Sequence, residues 1–410
     1  MSMKSIRLAA ASTACVCAFA ATAEVLDRPA GIKIGQRMTL RPYVAMSATY
    51  DSNVGGRTHG AKGDVMWRIN PGFTLDYVQE KWSLLLSAYY SYNAYSESRN
   101  RDRHNQHSYG ETLRWNWSDG DETGKGWTLM LTESYRRINM ADDIRLSDGR
   151  SYNADRGQFD INGAIQRRFN EKWHANVLGG YYYLDYDNDT DHGTGLYGWQ
   201  RWNAQADIGF APSRWTDFIA MIGYQGYNQD NAGSGIDRHS DGYTAQVGIG
   251  SFATERISYR LLVGWSRFDY GNSSAEDGFV YTGSVNWKIS DTLDTMLVAT
   301  SYYQPSEYER GSKSRIDSIS WGLHKAFVRN KLNATLDLTY RHEKIERINK
   351  AGGGEYDLDV LSARLGLNYT LNRFLSLFAY GEYLRSWDDS DGGYYDYDRW
   401  RVTGGVRLTY

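Results

Sequence analysis

The chain closes on Trp400-Arg401-Val402-Thr403-Gly404-Gly405-Val406-Arg407-Leu408-Thr409-Tyr410. In an extended strand successive side chains point to opposite sides. Trp400, Val402, Gly404, Val406, Leu408 and Tyr410 therefore share one face, and Arg399, Arg401, Thr403, Arg407 and Thr409 share the other. The first face suits lipid and the second water, as in a transmembrane β-strand. An edge strand of a soluble sandwich alternates in the same way, but has no reason to end on an aromatic residue.

Thr403, Gly405, Leu408 and Tyr410 also have the spacing of a terminal assembly signal: a polar residue, glycine two later, and apolar residues third-last and last. The expected reader is the barrel assembly machinery of a Gram-negative outer membrane. At the other end Lys4 and Arg7 precede the apolar stretch from Leu8 to Ala20, and Ala21-Thr22-Ala23 is a small-residue cleavage site. This predicts a signal peptide over 1–23 that is removed before Glu24. A lipidated start at Cys15 or Cys17 is disfavoured, because the residues before each cysteine are wrong for it. Both cysteines fall in the signal, so the mature chain forms no disulfide.

Beyond the signal no run reaches the roughly 20 apolar residues of a spanning helix, and a mean hydropathy of -0.62 is too polar for a helical bundle. The 33 Tyr and 14 Trp suit the aromatic belts of a barrel. The formal net charge of -3 becomes slightly more negative once Lys4 and Arg7 are removed, which gives no indication of a nucleic-acid partner.

Alternation predicts an all-β fold, a transmembrane antiparallel up-and-down β-barrel of about eighteen strands with both termini periplasmic. The strands run near 39–50, 64–78, 82–95, 106–117, 127–137, 156–169, 173–187, 197–210, 216–227, 241–252, 257–269, 278–289, 292–305, 315–327, 331–345, 357–370, 374–386 and 398–410. Residues 24–38 form a short periplasmic segment and 39–410 the barrel. Connections alternate between long polar loops and tight turns such as Asn170-Glu171-Lys172, Arg329-Asn330-Lys331 and Leu371-Asn372-Arg373, where asparagine tolerates a left-handed conformation. Trp82, Trp117, Trp127, Trp173 and Trp287 adjoin tight turns and are expected to form the periplasmic girdle. A barrel this wide is expected to have no apolar core.

A barrel of 16 to 18 strands encloses an aqueous lumen. The face assignment points Arg68, Arg114, Arg136, Arg168, Arg201, Arg260, Arg341, Arg364, Arg399, Arg401 and Arg407 into it, against Asp76, Asp160, Asp207, Asp337 and Glu382, giving a hydrated, modestly cationic wall. Inward Tyr89 and Tyr380 could stack on sugars, although tyrosine is common throughout. The long connection from Asn139 to Asp155 is a candidate constriction, in which Asp142, Asp143 and Asp148 would oppose Arg145 and Arg150.

The Asp185–Gly193 run alternates aspartates but lacks the glycine and terminal glutamate of a calcium loop, and reads as a solvated loop, as do Asp388, Asp389 and Asp391. No metal site or cofactor is expected. The histidines show no catalytic motif, and in His107-Ser108 and His239-Ser240 the two side chains point to opposite faces. No enzymatic activity is expected.

At the tip of the first strand, Tyr50-Asp51-Ser52-Asn53-Val54 resembles the motif that the Putative beta-barrel porin 2 family carries there, and the rest of the mature chain resembles that family in architecture. The resemblance implies a porin fold, and an association of some members with exopolysaccharide export, but no substrate and no site residue. The first expectation for function is a channel passing hydrophilic solutes or polysaccharide across the outer membrane. The alternative is a surface scaffold or adhesin with a non-conducting lumen. Expected partners are outer-membrane lipid and lipopolysaccharide, the barrel assembly machinery and, for a polysaccharide cargo, periplasmic export proteins.

Overall fold

The computed structural model describes residues 31–54, 60–96, 106–120, 125–138, 156–186, 198–213, 215–229, 239–251, 256–271, 274–305, 312–328, 331–347, 354–389 and 396–410. These residues contain no helix. The strands are β1 (Ile32–Ile34), β2 (Met38–Asp51), β3 (Asp64–Val78), β4 (Trp82–Tyr95), β5 (Gln106–Ser118), β6 (Gly126–Ile138) and β7 (Arg156–Arg168). They continue with β8 (Trp173–Tyr186), β9 (Trp199–Ser213), β10 (Thr216–Gln229), β11 (His239–Gly250), β12 (Ile257–Asp269) and β13 (Glu276–Ser290). The last are β14 (Leu293–Pro305), β15 (Ser312–Phe327), β16 (Leu332–Arg347), β17 (Glu355–Thr370), β18 (Leu375–Asp388) and β19 (Tyr397–Thr409).

Each strand from β2 onward pairs antiparallel with the next, and β19 returns to β2 from Arg401↔Asp51 to Thr409↔Tyr43. The result is a closed eighteen-stranded barrel, as the alternation predicts. The additional strand β1 stands outside that count. It pairs with Met38–Leu40, the part of β2 that β19 no longer reaches.

Long-range contacts settle which face is inside. Arg260 on β12 reaches Asp207 on β9 at 3.0 Å, and His174 on β8 reaches Asp217 on β10 at 2.8 Å. Side chains can bridge intervening strands in this way only on the concave side of a curved sheet. Counting outward through the pairing register from Asp207 places Trp400, Val402, Val406, Leu408 and Tyr410 outside, and all five are exposed. The girdle expected beside the tight turns is joined there by Phe169, Trp215, Phe327 and Phe374, the last stacked on Tyr410. A second outward aromatic row contains Tyr50, Trp67, Tyr90, Tyr109, Trp265, Tyr340, Tyr383 and Trp400. Trp400 and Tyr410 lie ten residues apart on one strand. At a rise of roughly 3.3 Å per residue and a tilt of about 40° that is about 25 Å, the height of a barrel's apolar band.

Two expectations need correction. Two of the asparagine turns do not use left-handed asparagine: the Asn170 side-chain carbonyl accepts from the backbone N–H groups of Lys172 and Trp173, and Asn372 does the same for Phe374 and Leu375, while Asn330 lies outside the described residues. These are Asx turns, in which the side chain replaces a backbone acceptor. Among described non-glycine residues the positive φ belongs to Val328, at 44°. The lumen also holds apolar packing, contrary to expectation. Tyr227, Phe268, Tyr270, Val280 and Tyr303 form one buried cluster, and Ile345, Tyr356 and Leu358 another.

Candidate functional site

The candidate site is the inner wall, which has two unlike halves. From β17 through the closing seam to β7, the register turns Arg364, Arg399, Arg401, Arg407, Arg41, Arg68, Arg114, Arg136 and Arg168 inward. The acids on the same wall are fewer: Glu382, Asp388, Asp51, Asp64, Asp76 and Asp160. Arg68, Arg114, Arg136, Arg364 and Arg407 are exposed, so water reaches them inside the barrel. The remaining inward candidates, Arg201, Asp207, Arg260, Asp337 and Arg341, lie on β9, β12 and β16.

Several of these charges are already committed. Arg41 pairs with Asp76, and Arg364 with Glu382 at 3.4 Å. Arg399 grips Asp51 through Nε and Nη2, and Arg401 Nε donates to the same carboxylate at 3.0 Å. Asp51 also accepts from the Asn53 backbone N–H. The Tyr50–Val54 motif thus supplies the carboxylate that ties the first barrel strand to the last, a role that spacing alone did not reveal.

The wall from β8 to β16 is more buried. Asp207, held by Arg260, also accepts from Asn176 Nδ2 at 2.7 Å, and all but Arg260 of this group is buried. Ile219, Met221 and Leu262 pack nearby. Higher up, buried Glu343 accepts from Arg341 and Ser314. Asp337 lies opposite Arg364 in the register.

The most consequential departure from a plain barrel is at β14. Its pairing with β13 stops at Thr282↔Thr300, although β13 continues to Glu276 against β12 and β14 continues to Pro305 against β15. The freed end of β14 comes close to β11 and β12. The Tyr303 carbonyl accepts from Gln225 Nε2 on β10 at 2.7 Å, and the Tyr270 hydroxyl lies 3.4 Å from the Gln304 carbonyl. Gln225 faces inward, so this end of β14 leans over the lumen. Burial holds the Tyr270 phenol well above its usual pKa, so it remains a donor. Arg315 on β15 fills the gap in the wall, with Nη2 donating to the Phe279 carbonyl of β13.

The candidate constriction residues Asp142, Asp143, Arg145, Asp148 and Arg150 lie outside the described residues, as does the signal region 1–23. Of the aspartate runs, Asp185, Asp388 and Asp389 are described, and no metal-holding cluster occurs among the described residues. His107 and Ser108 do point to opposite faces, with His107 outside against the Tyr90 hydroxyl.

With this geometry the chain is a porin-like outer-membrane β-barrel. The family described as Putative beta-barrel porin 2 matches residues 220–410. No curated protein matches the sequence. Among solved structures the chain is similar to the FrpB iron transporter from Neisseria meningitidis, at 10% identity over 93% of this chain and 83% of that one, with a TM-score of 0.47. It is similar to the siderophore receptor PirA from Acinetobacter baumannii, at 8% identity over 92% and 81%, TM-score 0.46. It is also similar to OpdK from Pseudomonas aeruginosa, crystallised with vanillate, at 13% identity over 90% and 99%, TM-score 0.44.

Proposed function

We propose that this barrel is a non-enzymatic channel for hydrophilic solutes, with a preference for anions and with both termini in the periplasm. The supporting observation is the set of exposed inward arginines, Arg68, Arg114, Arg136, Arg364 and Arg407, on the wall from β17 to β7. An eighteen-stranded closed barrel is wide enough for water, and fixed cations in a water-filled pore raise the local concentration of anions. The narrowing we assign to the leaning end of β14, which carries Tyr303 over the lumen. Polysaccharide is the cargo we favour, because a neutral or anionic polymer fits a polar wall on which the inward arginines from β17 to β7 outnumber the acids among the described residues. Planar-bilayer recordings test the reading. The purified barrel should give discrete conductance steps, and a chloride gradient should give a reversal potential on the anion side. Absence of current from properly folded protein would refute it.

A further inference from the structure

On five consecutive strands, β2 to β6, the register lays Tyr43, Gly72, Tyr89, Gly110 and Arg136 side by side on the lumen face. The alternation of large and small lets the two rings lie along the wall. A Cβ on Gly72 would strike the Tyr43 ring, and one on Gly110 would strike both the Tyr89 ring and the Arg136 stem. At the near end of the row Arg407, from β19, stands 4.0 Å over the Tyr43 ring. Stacking of that kind fixes a guanidinium plane while leaving its N–H edge for a planar oxyanion. Arg407 and Arg136 are both exposed to the lumen. Of the neighbouring acids, Asp76 is engaged by Arg41 and Asp51 by Arg399 and Arg401, while Asp160, which accepts from Asn162 Nδ2, lies within electrostatic reach of Arg136 and of Arg201.

An aromatic floor with a guanidinium at each end matches a carboxylated sugar chain. The C–H faces of sugar rings lie against aromatic faces, and carboxylates accept paired N–H donors. From β19 to β6 the row crosses five interstrand spacings, about 24 Å at roughly 4.8 Å each, which favours an oligomer over a single sugar. We propose that this row is a binding subsite for acidic oligosaccharides, with Tyr89 as the sugar platform and Arg136 and Arg407 as the carboxylate holders. The proposal deepens the channel reading and rests on it for the water-filled lumen.

Calorimetry on the full-length barrel folded in detergent, with hexagalacturonate, galacturonic acid and maltohexaose as probes, tests the subsite without requiring current. Hexagalacturonate should bind at least tenfold more tightly than either of the others. Arg136→Gln with Arg407→Gln should lose at least tenfold in affinity, while Arg136→Lys with Arg407→Lys should lose less. Tyr89→Leu should weaken binding severalfold, each variant first being shown to fold by heat-modifiable migration. Equal binding of maltohexaose, equal competition by inorganic sulfate, or an unchanged affinity in the glutamine pair would overturn the proposal. The first two readouts use wild-type protein and decide the matter even if a variant misfolds. Bilayer current without hexagalacturonate binding would remove the subsite and leave the channel; binding without current would do the reverse.

Discussion

Arg399 and Asp51 are 348 positions apart in the chain, and their buried side chains meet through two guanidinium nitrogens on one carboxylate. The pair lies across the line where the last strand meets the first. Removing Arg399 takes the two-pronged partner from the buried Asp51 carboxylate and leaves it to Arg401 and the Asn53 N–H, and breaking a buried pair of this kind costs up to about 3–5 kcal/mol. Arg399→Ala should therefore lower the urea midpoint of the folded barrel sharply, and Arg399→Lys should recover little, since lysine cannot offer the two-pronged contact. An unchanged midpoint for Arg399→Ala would show that the seam does not depend on the pair.

The two faces should differ in their response to charge. Leu336 sits between Leu323 and Leu365 on the outer face, and Thr335 points inward beside Gly366. Arginine at Leu336 or at Ala204 should cost roughly 2–4 kcal/mol near the midplane. At Thr335 or Asn203 the same change should cost well under half of that. Equal losses at both sets would contradict the register.

Tyr410 stacks on Phe374, and its backbone N–H donates to the Pro42 carbonyl at 3.0 Å. With Thr403, Gly405 and Leu408 it is the proposed assembly signal. Deleting it, or replacing it with Asp, should reduce the heat-modifiable form in the outer membrane several-fold. Normal levels would remove Tyr410 from that role.

The leaning end of β14 should set the conductance. Gln225→Ala with Tyr270→Phe removes two side-chain donors that hold it, and single-channel current should rise and become noisier. Because burial keeps the Tyr270 phenol above its ordinary value of 10.0, wild-type current should show no Tyr270-linked change between pH 6 and 9, approximately. Stability linked to this group would be lost only as pH rises beyond its ordinary value, where an unfolded phenol ionises and the folded one resists.

Glycines on the two faces should also separate. A Cβ on Gly248 would meet the Leu261 carbonyl, whereas at Gly404 nothing stands within 4 Å. Gly248→Ala should destabilise by about 1–3 kcal/mol, as overpacking does, and Gly404→Ala should be near neutral in the same urea titration. Similar midpoints for the two would contradict the close approach of β11 and β12.

Strand count and facing were legible because a period of two and punctuating turns dominate the chain, and a wall wetted on one side records that period faithfully. The inward arginines followed from the same parity. The half-filled lumen did not, since it depends on which strands curl together. The consecutive Leu261-Leu262-Val263, which breaks the alternation on β12, was the available hint. In β14 the run Met296-Leu297-Val298-Ala299 already departs from alternation before Thr300, so no change of pattern marks where the strand leaves β13. The seam clamp was also hidden, because a carboxylate and a guanidinium at opposite ends of the chain have no sequence relation until the barrel closes.

The parting of β14 from β13 also bears on how the wall gives way. Between Glu276 and Tyr281, β13 has backbone partners on β12 but none on β14, and Arg315 reaches the Phe279 carbonyl in place of a strand. In a cylinder whose strength comes from a continuous ladder, this is a short unlaced seam. Protection against solvent exchange tends to fail first where such bonds are few. Amides of this stretch that point toward β14 should exchange ahead of those pointing toward β12, and thermal opening of the cylinder should begin on that side, far around the circumference from the Asp51 clamp.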